Sequence, residues 1–346
     1  MRFRHMTTTC ILLMSIIVLQ TGCISKSSEI ESGHLAEDDR LTVYINDFDE
    51  IIGPMFEQAT GYRVELVHGS GAEIMSRIEA EGNNPHWDVV WADMISSIHG
   101  LGVKGLLHEG YVPEHATSLK PSFPSLVPDE KWYYPTGAHA AAVIVYDQTR
   151  LTADEAPTSW SDFDNPALSQ AIGMADPAIA APAYSFVSWF FYEHGLSEGH
   201  AIMNNWFDNG LTIYPKNPNV AMVLLSGQIK AAALQEDNAY NLIRQHPSLT
   251  LVWPDEGAPA SVRVAAISRE TKHLEAAQAF VNFLLDPKTQ QAIIDTSDEA
   301  YYEPSAIEVL PKADRHADAR LLIADTKWSQ EHEAEIKQWF ADHSIR

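Results

Sequence analysis

From residue 41 onward, apolar and polar positions follow two alternating rhythms. The run "LTVYIN" (41–46) is short and β-rich, and "FDEIIGPMFEQATG" then sets Ile51, Ile52, Met55 and Phe56 at helical spacing with Gly61 at the stop position. "YRVELVHG" predicts a second strand, "AEIMSRIEAEG" a second helix and "WDVVWAD" a third strand. Strands alternating with helices in this way predict a mainly parallel sheet whose strand C-termini form a ligand edge. After a Pro-rich connection (112–135), "AHAAAVIVYD" reads as one long strand, and a second α/β pattern follows. It runs through "AIGMAD", "AYSFVSWFFYEHG", "LTIYPK", "NVAMVLLSG" and "IKAAALQ" to a returning strand, "SVRVAAIS". "HLEAAQAFVNFLLDPKTQQAII" reads as a single amphipathic helix, and two more helices close the chain. Two α/β units joined by an outward strand (138–147) and a return strand (261–268) predict two lobes, a cleft between them and hinge closure.

The N-terminus has a different pattern. Arg2, Arg4 and His5 precede "ILLMSIIVL", an apolar run of signal-peptide length and short for a membrane span. "QTGC" follows, and Gly22-Cys23 resembles a bacterial lipoprotein cleavage box with Gln20 where leucine is usual. The expectation is a lipoprotein signal peptide over 1–22, lipid on Cys23 and a polar tether over 23–40. Cys10 leaves with the peptide, so no thiol remains for a disulfide or a thiolate metal site. Lys and Arg number 23 against 47 Asp and Glu, a formal charge of −24, which argues against nucleic acid and anionic membrane surfaces as partners. A small anion is not excluded, because helix N-terminal amides bind phosphate without net positive charge.

Candidate chemistry is sparse. "GLGVKG" places Gly100, Gly102 and Gly105 in G-x-G-x-x-G register, but a helix-like run precedes it where a dinucleotide site needs a strand. The 15 histidines form no metal-binding spacing. His139 stands out because it lies on the outward crossover, where ligand contact and plain packing remain equally open. No G-x-S-x-G occurs, and no local catalytic signature supports an enzyme. In "VHGSGAEIM", Ser70 can cap the helix that follows while the Gly71 and Ala72 amides face an anion; a cap alone would look the same. "ADPAIAAPAYSF" and "YPKNPNVAM" repeat that logic in the second unit, so three helix starts lie at strand ends.

These segments, in this order, resemble the periplasmic solute-binding proteins of ABC importers, nearest to the ferric-binding-protein type that includes hexose-phosphate and 2-aminoethylphosphonate receptors. Coverage runs from about Leu41 to Tyr302, and "EAAQAFVNFLLDPKTQQ" is the most specific stretch. The resemblance implies an α/β, two-lobed type II periplasmic binding protein with an interlobe cleft and two crossover strands. It implies lobes of 41–138 plus about 265–300, and 139–264 plus about 301–346. The implied anion cradle falls on Ser70, Gly71 and Ala72 in one lobe and on Ala180, Ala181 and Asn217 in the other; Ala180-Ala181 replaces a frequent Ser/Thr-Gly pair. The carboxylate of ferric receptors has a counterpart in Asp93, whereas their consecutive tyrosines fall on Asp237 and Asn238 of "LQEDNAY". Tyr301-Tyr302 reads as packing or lobe edge.

Asp237, Asn238 and Glu256 suit hydroxyls or an ammonium, and Trp91 or Tyr184 could supply an apolar wall. The expectation is an extracytoplasmic receptor, lipid-anchored and monomeric, with neither cofactor nor metal. It hands a sugar phosphate or aminophosphonate to an ABC permease without turnover. Ferric iron, a polyamine, or ligand sensing with a membrane kinase are the alternatives.

Overall fold

The computed structural model describes residues 40–82 and 84–344; the expected signal peptide, Cys23 and the tether up to residue 39 lie outside them. The first α/β unit forms as its periodicity predicts. It comprises β1 (Leu41–Ile45), α1 (Asp49–Thr60), β2 (Val64–His68), α2 (Gly71–Glu81), β3 (Val89–Ala92) and α3 (Ile95–Val103). β1 pairs in parallel with both β2 and β3. α3 runs through Gly100 and Gly102, so those glycines are not a nucleotide loop. A Cβ on Gly102 would overlap the Trp132 ring, which explains the glycine by close packing.

The chain then passes to β4 (Tyr133–Ala140) and β5 (Val143–Asp147), where the sequence predicts one long strand. The two belong to different sheets, and Ala141 and Ala142 make the passage between them. At that point the Ala141 N–H leaves the strand ladders and donates to the Pro259 carbonyl at 2.8 Å. The second unit comprises β6 (Ile172–Ala175), α4 (Ala181–His194), α5 (Leu196–Asp208), β7 (Leu211–Tyr214), α6 (Asn217–Leu225), β8 (Ala231–Leu234), α7 (Glu236–Gln245) and β9 (Leu249–Val252). α5, α7 and β9 have no counterpart among the predicted elements. β10 (Ala258–Ile267) returns to the first sheet, followed by α8 (Leu274–Leu285) and α9 (Pro287–Thr296). The single helix predicted over 273–294 is thus two. Asp286 is extended ahead of Pro287 and caps α9 through the Lys288 N–H, because proline disfavours a helical residue before it. β11 (Glu303–Pro304), β12 (Leu321–Leu322) and α10 (Thr326–His343) complete the chain.

The first sheet has the order β11-β4-β10-β3-β1-β2 with β12 on β10, and the second the order β7-β6-β8-β5-β9. Each has its own buried core, the first around Phe56, Trp91 and Phe280, the second around Trp160, Phe186 and Trp206. The C-terminal segment divides between them: Glu303–Pro304 pairs with β4, while Ile336 and Phe340 of α10 enter the second core. α10 also reaches the first unit, where Glu333 accepts from the Ser97 hydroxyl at 2.6 Å. Among the described residues, no helix is long and apolar enough to cross a membrane.

Candidate functional site

Two compartments are lined by residues named from sequence. The larger, about 310 Å³, has apolar walls that include Met75, Met94, Ile179 and Tyr184. Charged side chains, those of Glu79, Lys104, Glu333 and Lys337, also line it, and two helix ends add backbone donors. Ser70 caps α2 in a reciprocal box with Glu73, whose carboxyl is held down to about 2 by its bonds to the Ser70 hydroxyl and N–H, with Lys216 adding to the effect. With the cap satisfied internally, the N–H groups of Gly71 and Ala72 have no acceptor among the described residues, and neither has that of Ala181 at the start of α4. The two helix starts come from opposite lobes and touch: a Cβ on Gly71 would stand 2.9 Å from the Ala181 Cβ. Lys216 and Glu73 make a further exposed pair across the same junction at 3.7 Å.

The smaller compartment, about 20 Å³, is lined by Asp47, His139, Gln235, Asp237, Arg263 and Glu299, with Phe48, Gly137, Tyr301 and Tyr302. "LQEDNAY" explains its second-lobe wall. The segment is the first turn of α7, not a surface turn. Glu236 turns inward, fully buried, accepting from Arg315 Nε at 2.5 Å and from the Ala140 N–H at 2.8 Å. That anchoring leaves Asp237 to line the compartment. Burial pushes the Asp237 carboxyl up to about 8, with the Asp47 carboxylate adding to it and the Asn238 amide, 3.1 Å away, opposing. Burial likewise raises Asp47 to about 6 against the pull of Arg263, and Asp93 adds to the rise. His139 is pushed down to about 4 by burial, which outweighs Asp93 beside it. Its Nε2 stands 3.3 Å from Asp93 Oδ2, yet the alignment makes no hydrogen bond and leaves both atoms without a partner.

The residues named from sequence divide accordingly. Gly71, Ala72, Ala181 and Tyr184 line the larger compartment, with Ser70 and Ala180 as the caps of α2 and α4. His139 and Asp237 line the smaller, with Asp93 behind His139 and Asn238 beside Asp237. Four proposed ligand contacts are otherwise engaged. Trp91 is buried against Phe48 with its indole N–H on Thr136, so it is core and not a stacking wall. The Tyr184 hydroxyl donates to the Ser329 carbonyl, which leaves only its ring at the compartment. The Asn217 side chain exchanges hydrogen bonds with Gln235. Glu256 lies outside both compartments, where Oε1 accepts from the Ser159 hydroxyl and the Trp160 N–H at the start of a short helix.

Sequence reasoning missed Asp47, Arg263 and Glu299, and placed Tyr301-Tyr302 away from the site. Arg263 had a signal: it is the one charge inside the apolar run "SVRVAAIS". In the structure Arg263 lies beside the stacked rings of Phe48 and Trp91, 5.2 and 5.3 Å from their centroids, and is bonded to Asn46 and Asp47. Phe48 has φ of +64°, a strained conformation for a bulky residue, and it lies in the compartment wall. Tyr301 is packed, as read from sequence, by stacking on Tyr240 at 4.1 Å, but it and Tyr302 also line the compartment. Among the described residues, no three His, Cys, Asp or Glu side chains are grouped so as to hold a metal ion.

A family model described as "Bacterial extracellular solute-binding protein" matches residues 92–323, more than half of the chain. The chain belongs to that family. Its fold is the two-lobed type II arrangement of periplasmic binding proteins, whose members work outside the cytoplasm and deliver a solute to a membrane permease. The structure of the periplasmic binding protein AfuA from Actinobacillus pleuropneumoniae, with exogenous fructose-6-phosphate bound, is similar with TM-score 0.78 and 18% identity over 88% of this chain and 98% of that one. The major ferric iron-binding protein of Neisseria meningitidis serogroup B is 24% identical over 288 residues, 77% of this chain and 82% of the relative. Spermidine/putrescine-binding periplasmic protein 1 of Haemophilus influenzae is 21% identical over 292 residues, 79% and 78% of the two chains. A solute-binding protein of this family therefore has relatives named for three kinds of ligand.

Proposed function

We propose that this receptor, lipid-anchored through Cys23, binds a small organic phosphate or phosphonate in its interlobe cleft and presents the closed form to an ABC permease without chemical turnover. The observation that carries the ligand class is the meeting of two helix N-termini from opposite lobes, with the amides of Gly71, Ala72 and Ala181 free of acceptors among the described residues. An anion there would receive N–H donors and two favourable helix dipoles, and it would bind the closed form better than the open one. Asp237 and its neighbours offer acceptors for the hydroxyls or amine of the same ligand. The net negative charge of the small compartment also favours a second reading, a polyamine. Ferric iron fits less well, since Asp237 and Asn238 stand where the ferric receptors' tyrosines are implied.

A thermal-shift screen of the purified protein against fructose 6-phosphate, 2-aminoethylphosphonate, spermidine and ferric citrate tests this. A ligand at 100 times its Kd adds about 2.7 kcal/mol, a shift of several degrees. Stabilisation by an organophosphate or phosphonate is the expected result. Stabilisation by ferric citrate alone, with a coloured complex, overturns the ligand class.

A further inference from the structure

The small compartment has an unbalanced charge. Three carboxyl groups line it, those of Asp47, Asp237 and Glu299, and they come from three separate segments of the chain. Among the described residues, Arg263 is the one Lys or Arg side chain in its wall, and its guanidinium is already bonded to Asn46 and Asp47. His139 supplies no compensation. Its side chain is 7% exposed, and its Nε2 has no hydrogen-bond partner; nor has the Oδ2 of Asp93 beside it, which lies 3.9 Å from the Arg263 guanidinium. The Asp93–His139 pair behind the wall is buried, whereas Asp47 and Asp237 are half-buried and Glu299 is exposed, with Asp237 and Glu299 also lining an open neighbouring pocket of about 710 Å³; carboxyl groups of like charge gathered in one wall favour a cation among them. The free volume, about 20 Å³, is that of one water-sized group, which an ammonium matches and a phosphate does not.

We propose that this compartment is the seat of a primary ammonium group of the ligand, received by Asp237 with Asp47, Glu299 and His139 around it, so that aminated ligands are selected over hydroxylated ones. The inference rests on the organic-ligand reading above and narrows it. The ammonium is a three-donor point charge, suited to carboxylates that line one compartment from separate segments of the chain. Closing the cleft without it draws like-charged carboxyl groups together, and closing with it forms charge-assisted hydrogen bonds, so the amine would also drive closure. A proton linkage follows. Ligand-free Asp237 is pushed up to about 8 by burial and by Asp47, with Glu299 adding and Asn238 opposing. His139, Arg263, Tyr301 and Tyr302 are the other titratable groups in the wall. An ammonium beside Asp237 favours its carboxylate, so binding at pH 7 releases up to about one proton.

Titration calorimetry in two buffers of different ionisation enthalpy reads both effects, with 2-aminoethylphosphonate, 2-hydroxyethylphosphonate, ethylphosphonate and putrescine as probes. Expected is an affinity for 2-aminoethylphosphonate about 100-fold above that for its hydroxyl analogue, with proton release. In Asp237→Asn both the preference and the proton release should disappear, while a retained unfolding transition shows that the variant is folded. Equal binding of the three phosphonates overturns the amine seat and leaves the anion reading standing. Putrescine binding with proton release, with all phosphonates silent, supports the amine seat and overturns the anion reading. Silence of both amines overturns the amine seat, whatever else binds.

Discussion

Gly71→Ala offers a direct test of how the lobes close. The added Cβ would lie 2.9 Å from the Ala181 Cβ, 3.5 Å from Met94 Sδ and 3.6 Å from the Ala181 Cα. The first contact is too short for two carbons, so helix α2 or α4 must yield. Overpacking of this kind costs about 1–3 kcal/mol. The cost falls only on the closed form, because the two residues belong to different lobes and separate on opening. At 1.4 kcal/mol per tenfold, the Kd of a ligand found in the screen should rise about 5- to 150-fold. Alanine is itself the better helix former, by up to about 1 kcal/mol, so the ligand-free protein should melt no lower than wild type unless it already rests closed. Calorimetry and ligand-free melting together separate the effects. Ala181→Gly on the Gly71→Ala background removes the opposing Cβ and should restore most of the affinity, which makes the pair a double-mutant cycle. An unchanged Kd in Gly71→Ala, or a loss that Ala181→Gly does not relieve, would refute the contact as part of the ligand-bound state.

Other outcomes follow from particular contacts. Arg315→Met leaves the fully buried Glu236 without its cation and should lower the stability in urea by about 3–5 kcal/mol, with Glu236→Gln recovering part of it. Gly102→Ala drives a Cβ into the Trp132 ring and should cost about 1–3 kcal/mol, whereas Gly100→Ala meets only the flexible Gln330 side chain at 3.4 Å and should be milder. Between pH 7.5 and 8.5, above the unfolded histidine value and the raised Asp47, the raised Asp237 contributes a falling trend. Its folded form keeps a proton that the unfolded chain has lost, so ligand-free melting temperature should fall as pH rises through about 8; Asp237→Asn should flatten that slope, and a rising curve would contradict the assignment.

The elements of the first unit and most of those of the second were legible because each buries one face, and periodicity records that face; α5, α7 and β9 were not. The exceptions have local causes. "AHAAAVIVYD" is apolar throughout, so nothing in its pattern marks Ala141 and Ala142 as the passage between two sheets. Pro287 did mark the break between α8 and α9, but the apolar repeat on either side of it reads as one helix. At the site, the cap residues Ser70 to Ala72 were readable because a helix start is a local event. Glu256 was misplaced for the opposite reason: a carboxylate near a strand end looks the same whether it faces a ligand or caps Trp160 from 96 residues away.

The sequence by itself determined two α/β units and the helix starts that lie at strand ends. These depend on neighbours a few residues apart. It also determined that "LQEDNAY" carries no tyrosine pair. Only the tertiary structure decided what that stretch does. Arg315, 79 residues away, draws Glu236 into the interior and thereby leaves Asp237 among Asp47, His139 and Glu299. A charge cluster of this kind has no one-dimensional signature, because its members come from different segments and share only the wall of one compartment.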